Sequence, residues 1–531
     1  MRCLNTIIHL LSIVGLSLFW SCGGNSGSGI DNGFRLSDKV SAVRLQEGRR
    51  LAEIRCRSCH AFPDPNQLDK ESWERYVLPT MGYRMGLYHQ KESKNASIRN
   101  SLIETGLAGE LVLQANIFPE KPLISKTEFQ KITDYYLTAA PARALPPAVK
   151  PTILPDLNIF KPHFPEHPFR PASVSLVKID SARKQLLVGL AHQNTLLRLN
   201  NLGQLQENLP LQSAASDYLT RPEGDYVLNI GSFFPSDAPA GALTFYPAGN
   251  GKSQVILNKL QRPVQFQWAE LNGDNQPDWL ICEFGNQTGS LNWYEGSANH
   301  IYKKHVLKNA PGAVRAYIKD LNQDKRPDVI ALMAQGDEKL IIFYNEGRGR
   351  FREEIIQEFS PAMGSSYFEL VDFNQDGYLD ILYTAGDNAD FKPVQKSYHG
   401  IRIFLNDGHN KFRQAYFFPQ NGSYKATAAD FDGDGDLDIG AIAFFARFSE
   451  TPRESFVYLE NKGNFVFKAA TFRGSNTGRW ITLEKGDLDG DGDLDLVLGS
   501  FVLATKLATE AQNNMWATEG PVVVILENRT K

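Results

Sequence analysis

An acidic segment of nine residues recurs along the C-terminal part of this 531-residue chain. Its copies begin 50, 52, 58 and 57 residues apart, at Glu270, Asp320, Asp372, Asp430 and Asp487. Each copy is followed by a short apolar run of β character, and a second such run comes later, as in residues 401–408. A fixed period of this length is typical of β-propellers and solenoids, in which stacked units bury each other's apolar faces. We therefore expect residues 173–531 to form an all-β propeller.

Positions one, three, five and nine of each copy carry carboxylate or amide side chains. Oxygen donors at this spacing suit a calcium ion, and a glycine at position six permits the sharp turn of such a loop. The predicted calcium ligands are Glu270, Asn272, Asp274 and Asp278; Asp320, Asn322, Asp324 and Asp328; Asp372, Asn374, Asp376 and Asp380; Asp430, Asp432, Asp434 and Asp438; and Asp487, Asp489, Asp491 and Asp495. Asn275 and Lys325 replace the glycine in the first two copies, so we expect three calcium ions and at most five.

An EF-hand is the obvious alternative for acidic loops of this kind, and the sequence excludes it. The glutamate required at position twelve is absent, and the residues found there include Ile281, Ala331 and Leu498. The units resemble instead the FG-GAP/VCBS repeats of integrin-α-type propellers. That resemblance implies a calcium loop between the first and second strands of a blade. The ions are expected to be structural, since they offset clustered carboxylates; a regulatory or catalytic ion is the alternative.

The repeat also predicts the number of blades and how the ring closes. Two degenerate repeats, at 173–190 and 225–233, precede the five acidic ones and bring the expected number of blades to seven, with six or eight as alternatives. The last segment of β character, 521–529, has no outer neighbour after it. Because a propeller must pair that edge or leave it exposed, we predict that residues 158–165 supply the missing strand. A simple proline-rich linker is the alternative.

A different signature lies near the N-terminus, in Cys56-Arg57-Ser58-Cys59-His60. The C-x-x-C-H spacing is typical of haem c attachment, in which two thiols hold the macrocycle and the histidine ligates iron. A structural zinc site would need more soft ligands nearby, and Cys282 lies over two hundred residues away. A thioredoxin-like pair would need a βαβ context, whereas this motif ends a helical segment. We therefore predict one covalent haem c held by Cys56, Cys59 and His60.

The flanks of this motif have helical character. Gly48 lies where a second helix can approach the first closely, and Ser125 with Glu128 forms a capping box at the start of the last helix. Residues 43–142 resemble the monohaem cytochrome c fold, in which a helix before the haem motif crosses a last helix. This part is therefore expected to be a small all-α cytochrome c domain.

The sixth iron ligand decides whether such a haem carries electrons or binds small molecules, because a thioether closes the site. We predict Met81, which follows a proline and precedes a glycine in what is expected to be a loop near the macrocycle. Met85, His89 or no ligand are the alternatives.

The first residues are predicted to direct export. An apolar run at 7–20 is too short to cross a hydrocarbon core of about 30 Å and indicates a signal peptide, residues 1–21. Ser21-Cys22 resembles the lipobox of bacterial lipoproteins, which implies lipidation of Cys22; an incidental cysteine is the alternative. Residues 22–42 then form a flexible tether. The expected location is the periplasm or the outer surface, at a bacterial membrane.

The predicted loops between second and third strands differ greatly in length, and the long ones are at 386–399, 446–454 and 502–520. Such loops share the face opposite the calcium loops, where insertions often mark a binding surface. Aromatic residues on these insertions either anchor a partner or pack against neighbouring loops: Phe391, Tyr398, Phe448 and Trp516. A redox protein, another protein or a glycan is the expected partner, and a formal charge of −4 argues against nucleic acid. Cys282 is expected to be a buried apolar residue.

The whole chain resembles exported lipoproteins that join a cytochrome c domain (43–142) to an FG-GAP/VCBS propeller (173–531) by a proline-rich linker (143–172). The resemblance implies a membrane-anchored electron-transfer protein whose propeller is a docking platform. One alternative is an oxidoreductase whose propeller binds substrate or a second cofactor; another is an adhesion or glycan-binding propeller with a haem sensor. The sequence has no Ser-His-Asp, phosphate-loop or Rossmann pattern, which disfavours an enzyme. The prolines at 141–155 predict a semi-stiff connection.

Overall fold

The computed structural model describes residues 34–88, 99–100, 102–146, 148–249, 251–297, 301–388, 394 and 396–530. A helical N-terminal part precedes seven four-stranded sheets. The predicted signal peptide, Cys22, His89 and Phe391 lie outside the described residues. No described helix is long and apolar enough to span a membrane.

The N-terminal part, which we call the helical unit, covers the described residues between 34 and 142. Its helices are α1 (Ala42–Arg55), α2 (Lys70–Ser72), α3 (Leu78–Arg84), α4 (Leu107–Gln114) and α5 (Lys126–Ala139), with a 3-10 turn at Pro65–Gln67 and a π turn at Trp73–Val77. The predicted capping box of α5 is present, because Ser125 and Glu128 each accept the backbone N–H of the other.

Helices α1 and α5 cross at Gly48, as predicted. A Cβ at this position would overlap the carbonyl oxygen of Lys131, so only glycine permits the close approach. The crossing buries Leu51 and Ala52 against Phe129 and Ile132. Helices this short do not by themselves identify a haem domain.

The seven sheets are the blades of a propeller, and the predicted number is confirmed. The strands are, from blade one to blade seven, β2 (Val174–Asp180), β3 (Gln185–Leu190), β4 (Thr195–Asn200) and β5 (Leu205–Pro210); β6 (Ala215–Arg221), β7 (Gly224–Asn229), β8 (Gly241–Pro247) and β9 (Gln254–Leu260); β10 (Pro263–Ala269), β11 (Asp278–Glu283), β12 (Ser290–Glu295) and β13 (Lys303–Lys308); β14 (Ala313–Lys319), β15 (Asp328–Met333), β16 (Lys339–Gly347) and β17 (Arg350–Glu358); β18 (Ser365–Val371), β19 (Asp380–Ala385), β20 (Gly400–Asn406) and β21 (Phe412–Pro419); β22 (Ser423–Ala429), β23 (Asp438–Ala443), β24 (Phe456–Asn461) and β25 (Phe467–Ala470); and β26 (Trp480–Gly486), β27 (Asp495–Ser500), β28 (Val523–Asn528) and β1 (Phe160–His163).

The core of the propeller lies between neighbouring blades. Second strands such as β15 and β27 are buried along their whole length, whereas outer strands such as β5 are exposed. Apolar side chains of blade one pack on those of blade seven, for example Val177 and Leu197 with Val497. Each blade therefore buries its apolar faces only against its neighbours, which is the reason for the long repeat in the sequence.

The ring is closed by β1, which lies within the predicted segment 158–165. This strand pairs antiparallel with β28, in a register that places Phe160 opposite Asn528 and His163 opposite Ile525. Phe160 is buried and packs edge-on against Phe431 and Tyr458 of blade six. The N-terminal strand thus covers the edge that the C-terminal strand would otherwise expose.

The connection between the two parts is attached to blade six, rather than being the semi-stiff spacer that the prolines predicted. The Leu154 N–H donates to the Ala469 carbonyl oxygen at 3.0 Å, and the Thr471 N–H donates to the Leu154 carbonyl oxygen at 2.8 Å. Lys150 Nζ lies 2.6 Å from Glu454 Oε1. Backbone pairing with β25 fixes the path of this segment, and proline content alone does not reveal such pairing.

Candidate functional site

The acidic loops join the first and second strands of blades three to seven, so all five open on one face of the ring. Position six has a left-handed backbone in each, with φ of 63° at Asn275, 68° at Lys325, 87° at Gly377, 95° at Gly435 and 93° at Gly492. Glycine is favoured there because it has no Cβ. The predicted sharp turn is confirmed, and it is present even in the two loops that lack the glycine.

In blades six and seven the carboxylates of positions one, three and five lie together. Their oxygens lie within 4.8 Å of one another in two sets, Asp430, Asp432 and Asp434, and Asp487, Asp489 and Asp491. Burial, followed by the charge of Asp491, raises the pKa of Asp489. A divalent cation between such carboxylates relieves their repulsion, and three hard oxygen donors suit calcium. The donor sets of these two loops therefore fit the predicted ion.

The loop of blade five carries less negative charge, because Asn374 occupies position three. Its Nδ2 donates to Asp376 Oδ2 at 2.8 Å. Asp372 accepts the backbone N–H groups of Asp376 at 3.2 Å and of Gly377 at 2.9 Å. The third predicted calcium site thus offers two carboxylates and one amide oxygen from these positions.

The loops of blades three and four contain donors that occupy their own carboxylates. Glu270 Oε1 accepts the backbone N–H groups of Asn272 and Gly273, both at 2.8 Å. In blade four the Arg326 guanidinium lies 2.5 Å from Asp324 Oδ2. Lys325 at position six adds a further positive charge. The two cationic side chains give a physical basis for the expectation that the loop of blade four binds calcium weakly or not at all. The contacts of Glu270 do not distinguish blade three, because backbone N–H groups also donate to position one in blades six and seven.

The aspartates of position nine bind the backbone. Asp328 Oδ2 accepts the N–H of Leu321 at 3.0 Å, and Oδ1 accepts that of Asn345 at 2.8 Å. The same pair of contacts, with the second loop residue and with the end of the third strand, is made by Asp278, Asp380, Asp438 and Asp495. Burial raises the pKa of each, to about 6 for Asp278, Asp438 and Asp495. Their role as calcium ligands stays a prediction, and their structural role was missed.

An asparagine at the end of the third strand completes this arrangement and was also missed. Asn345 Nδ2 donates to the Leu271 carbonyl oxygen of the preceding blade at 2.9 Å, and Asn528 Nδ2 donates likewise to Phe431 at 2.8 Å. Asn406 and Asn461 hold the equivalent place in blades five and six. The signal was present in the sequence, since three of the four asparagines precede a glycine by two residues.

The thiol–histidine segment directly follows α1. Cys56 and Cys59 are both free thiols; Cys56 is half-buried and Cys59 is exposed. His60 Nδ1 lies 2.8 Å from the Ala61 carbonyl oxygen. Because a carbonyl only accepts, Nδ1 is the donor, and in the neutral imidazole the lone pair is then on Nε2. Burial raises the pKa of the Cys56 thiol to about 11.

The predicted loop before Met81 is helical. Pro79 lies in the first turn of α3, where its missing N–H is tolerated, and the π turn Trp73–Val77 joins α3 to α2 without a break. Met81 is not a member of the apolar cluster that Cys56 contacts, whereas the alternative Met85 packs against that cluster. The structure therefore brings Met85, and not Met81, to the same apolar cluster as Cys56.

The helical unit lies on the face of the propeller opposite the acidic loops. Ser236 Oγ and the Asp237 N–H donate to Glu104 at 2.7 and 2.8 Å. Ser360 Oγ donates to Gln67 Oε1 at 2.5 Å, and the Tyr398 hydroxyl donates to the Gln67 carbonyl oxygen at 3.2 Å. These contacts involve loops between second and third strands and a connection between blades, so the helical unit covers part of the surface that was predicted to receive a partner.

The three described aromatic residues of the long loops are packed within the protein, which was the alternative to their role as partner anchors. Tyr398 contacts the helical unit. Phe448 and Trp516 are buried and meet edge-on, with ring centroids 4.8 Å apart. Trp516 belongs to the helix α6 (Glu510–Thr518), which lies within the long loop of blade seven. Cys282 is fully buried, as predicted.

A cleft with a volume of about 350 Å³ lies between α4 and blades two and three. Leu107 and Leu111 line it on the helical side, and Lys259, Glu283 and Lys304 line it on the propeller side. Glu283 is fully buried and bonded to Lys304 Nζ at 2.9 Å. The cleft has the size of a small-ligand site and is lined by apolar, cationic and acidic side chains, Glu110 among the last.

A family model described as an FG-GAP-like repeat matches residues 320–383 and 394–441, which include the acidic loops of blades four, five and six. The chain carries FG-GAP-like repeats. The repeats form the blades of the seven-bladed propeller described above.

Similarity to curated proteins is limited to part of the chain. Cartilage acidic protein 1 of Mus musculus is 29% identical over 165 residues, which cover 30% of this chain and 24% of the relative. The protein of the same name from Homo sapiens is 28% identical over 188 residues, covering 33% and 27%. The chain thus spans about a quarter of the length of these relatives.

Solved structures resemble this chain at low sequence identity. The N-terminal part of BBS1 in complex with ARL6 covers 70% of this chain and 98% of that chain, with 10% identity and a TM-score of 0.43. The Neurospora crassa Pan2 WD40 domain covers 71% and 97%, with 9% identity and a TM-score of 0.41. At these values the likeness carries no argument about function.

Proposed function

We propose that this protein is an exported electron-transfer protein whose helical unit carries one covalent haem c and whose propeller is a binding platform. The observation that carries the proposal is the pair of free thiols, Cys56 and Cys59, beside a histidine whose Nε2 is available as a ligand. Anchoring by lipid at Cys22 to a bacterial membrane is part of the same proposal and rests on the lipobox-like Ser21-Cys22.

The residues of the helical unit fit such a group. Cys56 and Cys59 would hold the macrocycle, and the bond from His60 Nδ1 to the Ala61 carbonyl orients the ring as metal-ligating histidines generally require. The apolar cluster beside Cys56 excludes water from one side of the site, and Met85, packed on that cluster, becomes the preferred sixth ligand over Met81. When bound, haem supplies a one-electron iron couple.

The propeller is suited to be a binding platform because the helical unit is bound to its blades. The helical unit is fixed by bonds from Glu104 and Gln67 to loops of different blades. We propose that calcium in the loops of blades six and seven is structural, since those carboxylates lie on the face away from the helical unit. A redox partner would then use the part of the long-loop face that the helical unit leaves uncovered.

A ligand-binding propeller is the second candidate, and the cleft of about 350 Å³ favours it. In that case the cleft between α4 and blades two and three would receive a small molecule or a glycan, and the helical unit would form one wall of the site. An oxidoreductase would need, in addition, a second cofactor in the propeller.

The deciding experiment is expression of the chain from residue 23 onward with a periplasmic signal and a c-type haem maturation system. We expect one haem per chain that stays attached in denaturant. Its spectrum should be low-spin and should not change when carbon monoxide is added. The variant Cys56→Ala/Cys59→Ala is expected to lose the attached haem. Cys282→Ala, at the buried cysteine of blade three, is the matched control and should keep it.

The sixth ligand is tested in the same preparation. Met85→Ala is expected to open the iron to carbon monoxide, and Met81→Ala is expected to leave the spectrum unchanged. Failure to attach haem after correct maturation contradicts the proposal, and binding of carbon monoxide by the unaltered protein contradicts its closed-site part. Calcium-dependent glycan binding that survives loss of haem would favour the second candidate.

A further inference from the structure

The innermost strands of the propeller bring a group of charged side chains into its central channel. We call these residues the channel cluster, and they are Lys178, Asp217, Arg315, Glu369, Lys425, Glu484 and Lys485. Lys485 Nζ of blade seven lies 2.5 Å from Glu369 Oε1 of blade five, which is not its neighbour in the ring. Lys178 of blade one approaches Glu484 of blade seven at 4.0 Å. Contacts between blades that are not adjacent place the cluster on the axis of the ring.

The three carboxylates of the channel cluster are all paired with lysines. Lys178 Nζ lies 3.3 Å from Asp217 Oδ1, and Lys425 Nζ lies 3.7 Å from Glu484 Oε2. The third pair is that of Lys485 with Glu369. Asp217 also accepts the backbone N–H of Phe266 in the next blade at 3.2 Å. The negative charges of the channel are therefore already matched by cations.

Arg315 is the cation without such a match. Its Nε donates to the Tyr317 hydroxyl at 2.7 Å, and its guanidinium lies 4.8 Å from the ring centroid of Tyr317 and 4.7 Å from that of Tyr367. Among the residues that the structure describes, none offers Arg315 a carboxylate within 4.0 Å. Two tyrosine rings thus hold the guanidinium in place and leave its other N–H groups for another acceptor.

The surroundings of Arg315 are positive as a whole. Four cationic and three anionic side chains make up the channel cluster, so one positive charge is in excess. Lys425 Nζ lies 5.0 Å from the same Tyr367 ring that Arg315 contacts. Burial, and then the charges of Arg315 and Lys178 acting against Glu484, lower the pKa of Lys425 to about 8. A bound anion would reduce the repulsion of Lys425 by Arg315 and Lys178.

We propose that the central channel binds a small oxyanion between Arg315 and Lys425. A planar guanidinium matches the two oxygens of a carboxylate or a phosphate, and chloride lacks this geometry. Thr482 Oγ1, which is buried and has no hydrogen-bond partner, adds a hydroxyl group on the innermost strand of blade seven. A monoanion matches the single excess charge. This site does not depend on haem or on calcium.

The test is isothermal titration of the full chain with inorganic phosphate and, separately, with acetate, at pH 7 and constant ionic strength set with sodium chloride. We expect saturable binding of at least one oxyanion and a reduction of tenfold or more in affinity for Arg315→Met. Arg352→Met is the matched control, because Arg352 also contacts a tyrosine ring, Tyr344, at 4.6 Å but lies on an outer strand. It should bind as the unaltered protein does.

Arg315→Lys keeps the positive charge and removes the planar pair of N–H donors of the guanidinium. It replaces Arg315→Met in the titration if that variant fails to fold. It is expected to bind more weakly than the unaltered protein. A stronger response to acetate identifies a carboxylate as the ligand class, and a stronger response to phosphate identifies a phosphate. The proposal is overturned if neither oxyanion binds, if chloride competes at equal strength, or if the Arg315 variants bind as well as the unaltered protein.

Discussion

The acidic loops of blades six and seven and those of blades three and four have the same backbone but different side-chain chemistry. Position six is left-handed in all of them, and position nine binds the same two backbone N–H groups. Only blades six and seven, however, bring three carboxylates together. In blade four the Arg326 guanidinium contacts the Asp324 carboxylate in place of a metal ion. The loop fold and the ion site are therefore separable, and different positions of the same repeat determine them.

The largest loss of unfolding free energy is expected for substitutions at position nine of the acidic loops. It should be equal in blades six and seven and in blades three and four. Asp495→Ala and Asp328→Ala each leave two backbone N–H groups without their acceptor. The loss of a buried hydrogen-bond partner costs about 1–3 kcal/mol per group, so each variant should lose roughly 2–6 kcal/mol of unfolding free energy. Urea unfolding in EDTA measures this loss.

The control for that comparison is Asp274→Ala at position five of blade three, which is exposed and should change the unfolding free energy by less than about 1 kcal/mol. If Asp328→Ala were as mild as Asp274→Ala, the structural role of position nine would be restricted to the acidic loops of blades six and seven, and the comparison would fail.

On the face of the propeller opposite the acidic loops, the buried carboxylate of Glu338 also accepts two backbone N–H groups. Glu338 accepts the N–H groups of Gly364 at 3.1 Å and Ser365 at 2.7 Å, and burial raises its pKa from the ordinary value of 4.5 to about 7. The native state then binds more protons than the unfolded state between these pH values, so stability falls as pH rises through this window.

Glu338→Gln removes this titration. From pH 4.5 to pH 8 we expect the unfolding free energy of the variant to rise relative to the unaltered protein by up to about 3 kcal/mol. Unfolding in urea at both pH values measures the change, and Glu519→Gln, at an exposed position, is the control. A difference between variant and parent that is independent of pH would assign Glu338 no titration in this range.

The sequence predicts the fold better than it predicts the roles of individual residues. The period and the unpaired last segment led to seven blades and to closure by residues 158–165, because a repeat of this kind must bury both faces and its edge. The crossing of α1 with α5 was predictable because only glycine permits it at Gly48. These features depend on patterns that are local or repeated.

What the sequence did not predict depends on contacts between distant residues. The bond from Asp237 to Glu104 joins residues 133 positions apart, and no pattern indicates that the helical unit covers the long-loop face. The two roles of aspartate within one loop look identical in sequence, because position nine differs from positions one to five only in its burial by the third strand. The helix that contains Met81 was not predicted, because a π turn joins the short helix with Pro79 in its first turn to the helix before it.

Calcium should separate the two kinds of loop. A ligand present at one hundred times its dissociation constant adds about 2.7 kcal/mol per site to the unfolding free energy. We expect this calcium-dependent gain in the unaltered protein. The part contributed by blades six and seven should be lost in Asp432→Asn/Asp489→Asn, in which position three of both clusters is neutral. Asp324→Asn in blade four should leave the gain unchanged. Thermal unfolding with calcium and with EDTA measures it, and an equal loss in Asp324→Asn would contradict the distinction.

The smallest effect is expected when the loop of blade four is converted towards the kind of loop found in blades six and seven. This variant is the sharpest form of the comparison. Lys325→Gly places glycine at a φ of 68°, and Arg326→Asn removes the guanidinium from Asp324. The double variant should show a calcium-dependent gain larger than that of the parent, by roughly 1–2 kcal/mol at saturating calcium, because Asn322 leaves the site one carboxylate short. Lys325→Gly alone should stabilise the loop without calcium, since glycine lowers the strain of the turn. A calcium response already present in that single variant would mean that Lys325, through its charge or its effect on the turn, keeps the ion out and that the guanidinium does not.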